Sequence, residues 1–429
     1  VTTRIPALRL HKATGQAYVV INKKALYLGR HDDPRTRNKY DRMIAQWLAA
    51  GRQLPVPPCE LTVAELLARF FAWAISHYCP GGAEPDYEIQ KYRRATRHLR
   101  QLYGDTRACE FGPLALQAVR QQMIDAGWCR RSVNLMLSRV KAVFRWGVAQ
   151  QLLPSNIFHG LQAVTGLRYG RTTARESDPV RGVPLEQVQA VRPFLSRQVR
   201  ALVDLQLLTG ARGGELLKLR PGDIDRSRAI WTYRPQKHKT ALHGKIRTIY
   251  FGPKAQAVLT PFLLRPDDRC LFSPAEAEHE RRQMLHQVRK TPLSCGNRPG
   301  SNLRKRPQRR PGDYYTPKTY ARAIERACDR AFALPQHLAP GLNEQGKPET
   351  RKQYLARLTA EQKQQIKAFR KAHRWHPHQL RHSAATMIRR EFGLEAAQLA
   401  LGHSSAQLTD AVYAERDLAK VEQVMMRIG

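Results

Sequence analysis

From Thr62 onward the apolar residues recur at intervals of three and four, the spacing of side chains along one face of an α-helix. This periodicity, more than any other feature, limits what the chain can fold into. Thr62-x-x-Glu65 has the form of a capping box, and the helix it opens carries Leu66, Leu67, Phe70, Phe71 and Trp73. The same spacing returns in Tyr87 to Tyr103, Pro113 to Ala126 and Ser132 to Val148. Helices with one apolar stripe bury it against one another, so residues 59–165 are expected to form an all-helical domain.

The flanking regions read differently. Ala7 to His11, Ala17 to Ile21 and Ala25 to Gly29 are separated by turn-type residues near Gly15 and Asn22, as strands of a meander are, and Asp33-Pro34 opens a helix through Trp47. Residues 1–54 are thus a three-stranded sheet plus helix, rich in Lys and Arg, with Pro55 to Pro58 as a linker. Over 166–182 the periodicity gives way to Gly, Arg, Thr and Ser, a basic linker. The last domain spans 183–429; within it Ala229 to Arg234 and Ile246 to Phe251 alternate like two strands joined by the basic loop Pro235 to Lys245. The fold class is mainly α and multidomain, with small β elements.

Charge points to the partner. Lys and Arg number 73 against 35 Asp and Glu, a formal net charge of +38. Like charges at that density destabilise a compact state unless a polyanion answers them. The basic residues are spread over many segments instead of flanking one lipid anchor, which favours nucleic acid over a membrane. In the helical domain Lys91, Arg93, Arg94, Arg97 and Arg100, then Arg130, Arg131, Arg139, Lys141 and Arg145, give several helices a shared basic side. Arg93, Arg97, Arg131 and Arg139 are the expected DNA contacts there. Between 289 and 312, a Pro/Gly-rich run holds eight Lys or Arg, including Arg304 and Lys305, and no acid. Seven cysteines without a C-x-x-C pair suggest neither a disulfide framework nor a zinc ribbon. No apolar run of about eighteen residues and no signal-peptide pattern occurs, so the expected location is the cytoplasm, with no membrane partner.

Two segments carry chemistry. In Leu208-Thr-Gly-Ala-Arg-Gly-Gly-Glu-Leu-Leu-Lys-Leu219, Gly210 is placed to end a helix and Arg212 to begin the next turn. Further on come His378-Gln-Leu-Arg-His382, Leu401-Gly-His403 and Tyr413, all within thirty-six residues. Pro377 suits the first turn of a helix, Arg381 lies one turn along beside His378, and Gly402 ends a later helix. Two arginines, two or three histidines and a tyrosine are thereby able to meet on one phosphate. His373, His376, His378 and His382 have no H-E-x-x-H pattern or acidic partner, so no metal is expected.

These motifs resemble the tyrosine recombinase, or phage integrase, family: an Arg in T-G-x-R-x-x-E, an H-x-L-R-H box, an L-G-H box and a tyrosine soon after. The resemblance is strong over the last domain. It implies a tyrosine recombinase catalytic fold of α+β type, a helical core-binding domain before it, and an arm-type DNA-binding module at the start. It also implies an active-site cluster of Arg212, His378, Arg381 and His403, with Tyr413 as nucleophile and Glu215 and His382 in support. The family's catalytic lysine lies in a hairpin between two strands, where this chain offers Lys237 and Lys239; the Lys-Thr pair followed by Lys245-x-Arg247 favours Lys239. Two departures stand out: Tyr413 follows His403 by ten positions where nine is usual, and the stretch from about Pro274 to Arg374 is longer than the family needs.

The residue types suit the reaction so implied. Guanidinium groups on non-bridging phosphate oxygens supply charge stabilisation without a metal or other cofactor. A phenol with an ordinary pKa near 10 needs a base or neighbouring positive charge, a part for His378, while Lys239 protonates the departing 5′ oxygen. The implied partners are double-stranded DNA, a homotetramer on synapsed sites, and an accessory DNA-bending or directionality factor. Alternatives are a catalytically silent DNA-binding factor and a type IB topoisomerase-like activity. Arg416 to Ile428 reads as a helix with Leu418, Val421, Met425 and Ile428 on one stripe, suited either to capping its own domain or to docking on a neighbouring subunit.

Overall fold

The computed structural model describes residues 5–21, 24–49, 60–79, 87–235, 247–292, 310–343, 345–402, 410 and 425–426. They fall into two compact units, Val1–Asp178 and Pro179–Gly429.

The first unit opens with strands β1 (Arg9–His11), β2 (Gln16–Ile21) and β3 (Lys24–Arg30) in an antiparallel meander. Alternation along β2 buries Ala17, Val19 and Ile21 on one face, and Ile44 and Trp47 of helix α1 (Pro34–Ala49) join that small core. The helical part comprises α2 (Val63–Tyr78), α3 (Tyr87–Tyr103), α4 (Pro113–Asp125), α5 (Arg130–Ala149) and α6 (Ser155–Gln162). The capping box at α2 is formed: the Glu65 carboxylate accepts from the Thr62 N–H at 2.9 Å, and the Thr62 hydroxyl accepts from the Glu65 N–H at 3.2 Å. Leu66, Phe70, Leu99, Phe111 and Phe144 are buried together, with Phe111 stacked on Phe144. Each such side chain contributes about 1.5–3 kcal/mol by leaving water.

The second unit contains α7 (Leu185–Val191), α8 (Arg197–Thr209), α9 (Gly213–Leu216), strands β4 (Ile224–Asp225), β5 (Trp231–Tyr233) and β6 (Ile249–Phe251), then α10 (Pro253–Leu259), α11 (Pro274–Gln287), α12 (Pro317–Ala331), α13 (Arg351–Arg357), α14 (Ala360–His373) and α15 (Pro377–Leu401). The strands form an antiparallel sheet in the order β4-β5-β6, so the two strands expected from sequence pair with each other and gain a short third one. α8 runs through the core, with Val199, Leu202, Val203 and Leu205 buried among β6, α10 and α15 residues. α15 is two helical stretches joined at Gly393, whose backbone (φ 89, ψ 176) is not helical.

Candidate active site

The turn after α8 is set by sequence. Gly210 adopts the left-handed conformation (φ 64) that ends the helix, and a Cβ there would meet Leu401 Cδ2 at 2.7 Å. Arg212 therefore stands at the head of α9. Its backbone N–H donates to Glu215 Oε2 at 3.0 Å, and its Nη1 donates to Glu215 Oε1 at 2.8 Å. The Arg212 side chain keeps 27 % of its exposure, whereas Glu215 keeps only 5 %.

Glu215 has a second cation. Arg247, whose side chain is also 5 % exposed, brings Nε to 3.7 Å from Glu215 Oε2 and donates Nη1 to the Ala400 carbonyl at 3.0 Å. Burial pushes the Glu215 carboxyl up, but the charge of Arg247 and the hydrogen bonds and charge of Arg212 outweigh it, and the net shift is downward. Glu215 is therefore an anion that fixes two arginines. Burial likewise lowers the Arg247 pKa, opposed by Glu215, and a guanidinium stays charged across that range. Arg247 packs so closely on Gly402 (φ 65) that a Cβ there would lie 2.5 Å from its Nη1.

Arg381 closes the arrangement. It is fully buried on the second turn of α15, donating Nη1 to the Gly210 carbonyl at 2.6 Å and Nη2 to the Leu401 carbonyl at 2.8 Å. One side chain thus draws the T-G-x-R turn, the H-x-L-R-H helix and the L-G-H segment to a single place, although Gly210 and Arg381 are 171 positions apart. The sequence reading gave both ends of this guanidinium to a phosphate; in the structure each end serves a main-chain carbonyl.

His378 is exposed in the first turn of α15, and its ring meets that of His382 edge-on at a centroid distance of 5.1 Å. His382 is buried. Gln206, which the sequence reading did not single out, stitches these parts from below. Its Nε2 donates to the carbonyls of Ala211 (3.1 Å) and Pro377 (3.2 Å), and its Oε1 accepts from the hydroxyl of fully buried Tyr320 at 2.8 Å. Burial raises the Tyr320 phenol well above its ordinary pKa, so it remains a donor. The available signal was a glutamine inside the otherwise apolar run Leu205 to Leu208. Lys237, Lys239, His403 and Tyr413 lie outside the described residues, as do Arg304 and Lys305.

The proposed DNA contacts of the first unit divide. Arg93 and Arg97 are exposed on α3 and, with Arg100, border a groove of about 470 Å³ floored by Ala64, Leu67, Ala68 and Phe71. Arg131 is exposed on α5. Arg139, by contrast, is only 13 % exposed, pairs with Glu88 at 2.9 Å and lies over the Tyr92 ring. Among the described residues, no helix is long and apolar enough to cross a membrane, and no group of three metal-ligating side chains occurs.

Residues 317–419 match the family model described as the phage integrase family. Over that segment, about a quarter of the chain, the sequence is thus similar to the phage integrase family, the tyrosine recombinases. The matched segment contains His378, Arg381, His403 and Tyr413, while Arg212 and Lys239 precede it. Among solved structures, a lambda integrase dimer bound to a COC' core site matches with a TM-score of 0.51 at 15 % identity, covering 97 % of this chain and 99 % of that one. The integrase of transposon Tn1549, in complex with transposon right-end DNA, gives 0.51 at 15 % identity, covering 86 % and 99 %. These likenesses show an integrase-like fold over most of the chain's length. No curated protein matches the chain.

Proposed function

We propose that this chain is a tyrosine recombinase that cleaves and rejoins double-stranded DNA at specific sites through a 3′-phosphotyrosine link to Tyr413. The phenolic oxygen attacks phosphorus, its proton passes to His378, and the bond from phosphorus to the 5′ oxygen breaks as Lys239 protonates that oxygen. Arg212 and Arg381 hold the non-bridging oxygens, and His403 hydrogen-bonds the phosphate. The link conserves the energy of the phosphodiester, so a 5′ hydroxyl from a second strand reverses the step without ATP. Glu215 acts through Arg212 and is a positioning residue.

The observation that carries this reading is the buried Arg381 clasp, which holds together two motifs far apart in sequence, the turn at Gly210 and the end of α15. Asp410, three residues before Tyr413, is in addition held to α15 by Arg389 at 2.7 Å. The reading extends to a three-domain enzyme, with 1–54 as an arm-type module, 59–165 as the core-binding domain and 183–429 as the catalytic domain. It would act in the cytoplasm as a homotetramer on two synapsed sites, with an accessory DNA-bending or directionality factor and Arg93, Arg97, Arg131, Arg304 and Lys305 on the backbone. A nicked suicide substrate tests the core of it: wild-type protein accumulates a covalent complex resistant to denaturant, and Tyr413→Phe binds the same DNA without forming one. An adduct that persists in Tyr413→Phe removes the nucleophile assignment.

A further inference from the structure

The stretch between α12 and α15 takes no part in the arginine cluster, yet it is a built structure. Leu338, Tyr354, Leu358 and Ile366 are buried together with Leu334 against them, and the Tyr354 hydroxyl donates to the Leu338 carbonyl at 2.6 Å. Arg374 fastens it to α12 through Asp329, at 2.7 and 2.6 Å. Glu349 is turned to internal use. Glu349 accepts from Arg357 at 2.6 Å and from the Gly341 N–H at 2.8 Å, and Asp329 is taken by Arg374.

α14 carries a basic face. At 100° per residue, Lys363, Lys367, Arg370 and Lys371 fall within an arc of roughly 100°, beside the arc of Ile366, Phe369 and His373 that faces inward. Glu361 lies off the basic arc. Lys363, Lys367 and Lys371 are exposed and follow one another at about 6 Å along the axis. Like charges four residues apart on a helix repel, and a polyanion laid along the row offsets that repulsion. The row also ends close to the site. His373 closes α14, and five residues on is His378, a reach of at most about 18 Å even for extended chain.

We propose that α14 lays Lys363, Lys367 and Lys371 along the phosphate backbone of the duplex whose scissile phosphate enters the arginine cluster. The inference rests on the DNA-recombinase reading and gives a task to a segment longer than the family needs. The contacts are to phosphate, so they add affinity without sequence preference.

The test uses the full chain and a duplex of about 40 base pairs of arbitrary sequence, with affinity read by fluorescence anisotropy between about 50 and 200 mM KCl. Each phosphate contact contributes about 0.9 to the slope of log affinity against log salt, so K363Q/K367Q/K371Q is expected to flatten it by about 2 to 3. The triple Lys→Arg variant keeps the wild-type slope, and neither variant melts below wild type. Neutralising Arg226, Arg228 and Lys254, which are exposed elsewhere on the same unit, leaves the slope nearly unchanged. A steep wild-type slope that K363Q/K367Q/K371Q preserves, or an equal loss in the control triple, overturns the α14 contact and leaves the recombinase reading standing. A wild-type protein without salt-dependent DNA affinity sinks the recombinase reading itself.

Discussion

Replacing Glu215 by Gln removes the one carboxylate that answers both Arg212 and Arg247. The substitution keeps size and shape, so its cost is electrostatic. Arg247 is 5 % exposed and would be left as a buried cation with no anion beside it. Breaking a buried pair from one side costs about 3–5 kcal/mol. A unit of this size loses about 2–4 °C of melting temperature per kcal/mol, so Glu215→Gln is expected to melt roughly 6–20 °C below wild type. Circular dichroism against temperature reads this directly. Adding Arg247→Met removes the stranded charge and is expected to recover most of the loss, a coupling that a double-mutant cycle measures. The pH dependence supplies a second check. The folded-state pKa of Glu215 is lowered, so its stabilisation is fully present above the unfolded value of about 4.3 and is lost as pH falls through the folded value. Glu215→Gln should lack that acid limb. A melting temperature within about 2 °C of wild type, or a double variant as unstable as the single, would show that the pair does not bear the load assigned to it.

Gly402→Ala places a Cβ 2.5 Å from Arg247 Nη1 at a φ of 65°, and should cost about 1–3 kcal/mol and depress covalent-complex formation more than DNA binding; full activity would mean that Arg247 yields at no cost. Tyr320→Phe deletes the donor to Gln206 Oε1 and should destabilise by about 1–3 kcal/mol in a melting experiment, with an unchanged midpoint counting against the buried bridge. Lys239→Ala should slow cleavage of an ordinary substrate far more than one with sulfur in place of the bridging 5′ oxygen, because a thiolate leaves without a proton. Lys237→Ala should not show that difference, and the reverse pattern would move the general acid to Lys237.

What was legible in the sequence was what depends on neighbours along the chain. The α2 capping box, the span of α3, the turn at Gly210 and the helix starting at Pro377 follow from local spacing and caps, and the structure has each of them. The motif boxes likewise named Arg212, Glu215, His378 and Arg381 before their geometry was known. Long-range pairing was not legible. Nothing in periodicity says that Arg247 reaches back 32 positions to Glu215, or that Arg139 spends its charge on Glu88 while Arg131 remains exposed, since basic residues on a helix look alike until the facing element is known. Gln206 was passed over for the same reason: a buried amide is recognised by its three partners, and these come from the turn after α8, from α12 and from α15. The mini-core built on Tyr354 and Ile366 escaped notice because its apolar residues are few and widely spaced.

The most direct measurement is peptide mapping by mass spectrometry of the complex trapped on a suicide substrate, run with and without a divalent-ion chelator. The expected result is a nucleotide remnant attached through its 3′ phosphate to Tyr413, in equal yield under both conditions. A remnant on any other residue, or cleavage that stops when divalent ions are withdrawn, would contradict the account.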